Sequence, residues 1–91
     1  MVNFNKIYYN KYMSLRSSIN GCICAINTRL LLLKASAGTK HRLTLITCRR
    51  KLESLALLLW YPSKRPTIAK LKILYYIERE FNSITELFQN S

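Results

Sequence analysis

The sequence predicts an all-α fold, a small helical protein built on a central antiparallel helix hairpin at about 43–61 and 67–81. Three observations predict it. Only two Gly and two Pro occur in 91 residues, which leaves few obligatory turns and favours a few helices over many short strands. Apolar residues make up 49% of the chain, too many for a disordered composition. Leu45, Cys48, Leu52, Leu55 and Leu59 recur at spacings of 3, 4, 3 and 4, the period of an amphipathic helix.

That stripe defines a helix from about Leu43 to Tyr61, with Arg42, Arg49, Arg50, Lys51 and Ser54 on its other faces. Thr39 fits an N-cap, and Pro62 ends the helix because the residue before proline is pushed out of the α region. A strand competes for the first part, since Leu43-Thr44-Leu45 alternates and Thr is β-branched. Ser63-Lys64-Arg65-Pro66 is a short basic connector, which favours antiparallel neighbours. The second helix of the hairpin runs from about Thr67 to Phe81. Ile68, Leu71, Leu74, Tyr75 and Ile77 form its apolar face, and Lys70, Lys72 and Arg79 lie off it. Ser83-Ile84-Thr85-Glu86 matches a capping box, which implies a break at Asn82 and a short C-terminal helix carrying Ile84, Leu87 and Phe88.

Ahead of the hairpin, residues 1–20 form a basic aromatic segment. Phe4, Ile7, Tyr8, Tyr12, Met13 and Leu15 fall loosely at helical spacing, so 3–19 reads as helix, although Tyr and Ile also suit a strand. Asn20-Gly21 is a turn signal. Residues 20–40 are ambiguous: a strand at 22–26 running into a helix and one buried helix both fit, and Ala35 to Thr39 reads as a connector. The whole is expected to be a single small domain, 1–91, whose stability would be marginal without a partner.

Charge carries the functional reading. Fifteen Lys and Arg stand against four Glu and no Asp, a net +11, where well-solvated small domains carry a magnitude of about 2–8. Residues 1–52 hold ten bases and no acid. Such a chain repels itself unless a polyanion neutralises it; nucleic acid is the commonest one and anionic lipid the next. Arg42, Arg49, Arg50 and Lys51 cluster on one helix, with Lys64 and Arg65 at its far end, about 20 Å away at 1.5 Å per residue. Arginine suits the role because its planar fork binds phosphate oxygens in pairs. Lys6, Lys11 and Arg16 add bases among Tyr8, Tyr9 and Tyr12, aromatics of the kind that stack on unpaired RNA bases or pack into a core. RNA is therefore the expected partner, with neighbouring protein subunits meeting Leu-rich helix faces and an anionic membrane as a further candidate; no small-molecule substrate is expected. The reading is a non-enzymatic RNA-binding structural subunit of a ribonucleoprotein. The alternatives are a helical accessory subunit of a membrane-associated complex and a small viral or regulatory factor.

Catalytic and metal chemistry find little footing. There is one His and no Gly-rich phosphate loop, and Cys48 with His41 lacks an orienting acid. Cys22, Cys24, His41 and Cys48 match no common zinc spacing, where paired ligands sit two to four residues apart. No cofactor and no metal are expected. Three cysteines do not make a paired scaffold and fit a reducing intracellular compartment. The basic, Ser-containing N-terminus is partly like an organellar presequence, so a mitochondrion or another organelle is one expected location. No segment reads as a bilayer span, since Gly21 to Ala37 is broken by Asn27, Arg29 and Lys34.

Two resemblances add to this. Thr67 to Gln89, with Ile73-Leu74 and Ile77 followed by Ser83-Ile84-Thr85-Glu86-Leu87, resembles the first two helices of a winged-helix or helix-turn-helix DNA-binding domain. That likeness implies a truncated DNA-binding protein lacking the recognition helix that enters the major groove. In overall composition the chain is similar to small ribosomal accessory proteins of organelles.

Overall fold

The computed structural model describes residues 3–33, 38–60 and 66–89 as three helices: α1 (Phe4–Leu32), α2 (Thr39–Trp60) and α3 (Thr67–Gln89). Every pair of helices is in contact, so the hairpin of α2 and α3 packs along α1 in an elongated bundle of 56 × 19 × 18 Å. There is no strand among the described residues, and the strand alternatives at 22–26 and 43–45 give way to helix.

α1 is the largest departure from the sequence expectation. It starts at Asn3, whose side-chain oxygen accepts from the Lys6 backbone N–H at 3.1 Å, and it passes straight through Asn20-Gly21. The reason lies in the stripe Tyr8, Tyr12, Leu15, Ile19, Cys22, Ile26, Leu30 and Leu33, which faces the core without interruption. A glycine inside a helix costs about 1 kcal/mol, while burying each Ile or Leu is worth about 1.5–3 kcal/mol. Ile19 and Ile26 flank the glycine and are almost wholly buried, so packing outweighs the local turn signal. Gly21 needs no positive φ here.

α2 begins at Thr39, earlier than the spacing alone predicts; Gly38 C=O accepts from the Arg42 N–H, so Thr39 lies inside the helix rather than capping it. The predicted stripe of Leu45, Cys48, Leu52, Leu55 and Leu59 is buried as expected, with Ala56 added. α3 is one helix to Gln89 and does not break at Asn82. Its buried positions, Leu71, Leu74, Ile77, Ile84 and Phe88, run through that point at helical spacing. The Ser83 hydroxyl does not cap a new helix. It donates to Arg79 C=O at 3.3 Å, and Thr85 donates to Asn82 C=O at 2.8 Å, local bonds that Ser and Thr make inside helices. The expected separate C-terminal helix is therefore the last two turns of α3. The helix-turn-helix resemblance fails for the same reason: its turn is helix.

Contacts fix the register. Thr67 Oγ1 lies 3.2 Å from Asn5 Oδ1, the Lys70 ammonium 5.7 Å from the Tyr8 ring centre, and the Arg29 guanidinium 4.2 Å from that of Phe88. α1 and α3 therefore run parallel. Arg49 Nη1 donates to Asn27 Oδ1 at 3.0 Å, which sets antiparallel α2 against α1.

Candidate polyanion-binding surface

Among the described residues are twelve Lys and Arg and all four Glu. Even if each carboxylate neutralised one cation, eight would remain. The surface of the bundle is therefore basic whatever its local pairing.

The Arg49-Arg50-Lys51 run lies on three sides of α2, because successive helical residues turn by about 100°. Arg49 points toward α1, held by Asn27 and 3.9 Å from Glu53 one turn on. Arg50 points away from the buried stripe and is exposed. Lys51 turns toward α3 and lines a shallow cleft with Tyr76 and Glu80. Arg42, two turns before Arg49 on the same side, is half-buried. These four form a basic band that wraps α2 from its α1 side to its α3 side. Lys64 and Arg65, expected at its far end, lie outside the described residues.

The N-terminal bases divide. Lys6 and Arg16 are exposed. Lys11 instead forms an ion pair with Glu78 and sits 4.4 Å from the centre of the Tyr75 ring, so it is committed to holding α1 against α3. By the Asn27–Arg49 register, Arg16 lies level with the end of α2 near Trp60, away from Arg42. The structure thus does not gather Lys6, Lys11 and Arg16 with the α2 band. Of the three tyrosines, Tyr8 and Tyr12 stack on one another at 6.0 Å and pack on the core, while Tyr9 is 61% exposed. Phe4, Trp60, Tyr75 and Tyr76 are the other exposed aromatics among the described residues, though Tyr75 is covered on one face by Lys11.

The cysteines sit differently again. Cys48 is buried, Cys22 half-buried and Cys24 exposed. Burial pushes the Cys22 thiol up, the neighbouring Cys48 adds to this, and Arg29 opposes it. Burial also pushes Cys48 up, against a smaller opposing effect of Lys51. Raised thiols are poor nucleophiles and poor metal ligands. No group of three or more His, Cys, Asp or Glu comes together among the described residues.

A second surface follows the α2–α3 seam. A groove of about 500 Å³ is lined by Lys40, Leu43, Thr44, Thr47, Cys48 and Leu87, and Leu87 joins it to the cleft at Lys51. The regular leucine stripes are consumed in the chain's own core. The exposed leucines, Leu31, Leu32, Leu43, Leu57, Leu58 and Leu87, lie off those stripes, and the core periodicity gave no sign of them.

Fold and surface together define a three-helix bundle whose cations exceed its anions on every helix but one: α1 has no acid, α2 has Glu53 alone, and α3 balances three Glu with three bases. No protein family, no curated protein and no solved structure matches the chain.

Proposed function

We propose that this chain is a non-enzymatic RNA-binding structural subunit of a ribonucleoprotein, an assembly such as an organellar ribosome, and that it acts by neutralising phosphates. The observation that supports this is the surplus of cations over carboxylates on α1 and α2. A compact chain with such a surplus repels itself, and bound phosphates relieve the repulsion. Arg42, Arg49, Arg50 and Lys51 would form the main contact, with Arg16 and Lys6 a second contact farther along α1. Lys11, tied to Glu78, contributes to the bundle rather than to RNA. The bases have no periodic match to a groove, so the reading is of backbone neutralisation without sequence readout.

The test is a salt titration of binding to a fluorescein-labelled RNA duplex. Six phosphate contacts predict a slope of log affinity against log salt of about −5 on a duplex, and about −4 on a single strand. An affinity that does not change between low and physiological salt overturns the proposal.

A further inference from the structure

The exposed leucines are unevenly distributed, and the two most exposed are adjacent. Leu31 is 87% exposed and Leu32 75%, in the last turn of α1. The register explains why. Arg29 lies on Phe88, so Gln89, the end of α3, lies level with about Leu30. Leu31 and Leu32 lie past the last described turn of α3. Counting one turn on from Asn27 in α1, and back from Arg49 in α2, brings them level with Thr44 and Leu45, next to Leu43. Leu43 is itself exposed. Leu31, Leu32 and Leu43 thus form an exposed apolar tip among the described residues at this end of the bundle.

The tip is ringed by bases. Lys40 and Arg42 occupy the first turn of α2, which contains no acid, although the positive end of a helix ordinarily favours one. Arg29 lies in the last turn of α1. The nearest acid on α3, Glu86, sits on that helix's exposed face.

We infer that this end of the bundle inserts shallowly into an anionic membrane surface, with Leu31, Leu32 and Leu43 entering the headgroup boundary and Lys40, Arg42 and Arg29 meeting lipid phosphates. Charge chooses this occupant: Lys40, Arg42 and Arg29 beside exposed leucines suit an anionic lipid interface, where apolar insertion and attraction to phosphates act together. Charge opposes a second copy of the chain, since each carries +11 and the tip would face its own bases. No helix among the described residues is long and apolar enough to cross a membrane, so the contact is interfacial. Three apolar side chains hold only weakly, and the surrounding bases supply the second attraction that stable anchoring requires. This site shares Arg42 with the RNA-binding proposal but rests on Leu31, Leu32 and Leu43, which that proposal does not use.

The experiment uses nuclease-treated full-length protein and vesicles of phosphatidylcholine, with or without 30 mol % phosphatidylserine. Flotation should recover the protein with the serine-containing vesicles only. Leu31→Ser/Leu32→Ser should lower its partition coefficient at least about tenfold, and Leu57→Ser, on an exposed leucine distant from the tip, should leave it unchanged. The single tryptophan, Trp60, lies at the opposite end and should keep its emission. Leu31→Trp in a Trp60→Phe background should shift to the blue and be quenched by brominated lipid. Equal binding by the double serine variant, equal binding to pure phosphatidylcholine, or quenching of Trp60 instead of the residue-31 reporter each overturns the inference. So does a dimer, seen by sedimentation without vesicle binding, that the double serine variant abolishes. Neutral serine leaves the RNA salt slope unchanged, so a failure here is distinguishable from a failure of RNA binding.

Discussion

Arg49 and Asn27 are joined by a hydrogen bond of 3.0 Å between guanidinium and amide, and this contact ties the most basic stretch of the chain to the middle of α1. It holds one arginine still while its neighbour Arg50 points away from the bundle. Arg49 is also near Glu53, but at 3.9 Å with both side chains well exposed that pair is weak, since exposed ion pairs contribute about 0–1 kcal/mol. Stability and binding are therefore separable on α2.

The variant Arg49→Ala/Arg50→Ala/Lys51→Ala should fold almost as well as the native chain, losing no more than about 1 kcal/mol in urea unfolding. Its RNA affinity should fall, and its salt slope on duplex RNA should become shallower by about 3, because each lost phosphate contact removes about 0.9. Fluorescence anisotropy across a salt series measures both. An unchanged slope would place the phosphate contacts elsewhere on the bundle.

Gly21 supplies a prediction of opposite sign. A Cβ built there meets no atom within 4 Å, and its φ is not positive. Gly21→Ala should therefore raise stability by about 0.5–1 kcal/mol, the difference in helix preference between the two residues. The urea midpoint should rise with no change in slope. A lower midpoint would mean that the chain turns at residue 21 and that α1 is two helices.

Ile77 is fully buried among the three helices. Ile77→Ala should cost about 2–5 kcal/mol, a large share of the roughly 5–15 kcal/mol available to a folded domain. Leu57→Ala, on an exposed leucine, should stay within about 0.5 kcal/mol of the native chain. Thermal melts followed by circular dichroism compare the two. Equal effects would show that the described core is not the one that stabilises the chain.

The fold was legible wherever apolar periodicity was strong. Leu45 to Leu59 marked α2 correctly, and Leu71 to Ile77 marked the first half of α3. At Asn20-Gly21 and at Ser83 to Glu86 the structure differs for one reason: a short local signal is overridden by a stripe that continues past it. Tyr8 to Leu33 and Leu71 to Phe88 keep helical spacing through both points, and burying those side chains outweighs one unfavourable residue or one unused cap. The basic surface was legible as composition. Its division was not, because Lys11 pairs with Glu78 across 67 positions of sequence, and such partners are visible only once α1 lies beside α3. The exposed tip at Leu31 and Leu32 was hidden for a similar reason: a Leu-rich run reads as core until the neighbouring helix is seen to end beside it.

The buried thiols make stability depend on pH. Burial raises Cys48, and burial with the Cys48 neighbour raises Cys22, so the folded state favours the protonated form of both. A group whose folded pKa is raised stabilises the fold fully below its unfolded pKa, and that contribution is lost as pH rises through the folded one. Stability should therefore fall above the ordinary thiol range. Every other effect of pH on the chain is shared with a variant that lacks only these thiols, so the readout is a comparison. Between about pH 8 and pH 10 the native chain should lose more unfolding free energy than Cys22→Ala/Cys48→Ala, in which only the effects shared by both chains remain. Thiol labelling supplies the structural control: exposed Cys24 should react first, and buried Cys48 only at the rate at which the bundle opens. If the native chain and the double alanine variant show parallel pH profiles, the two thiols ionise as freely in the folded bundle as in the unfolded chain, and the burial of Cys48 does not hold its proton.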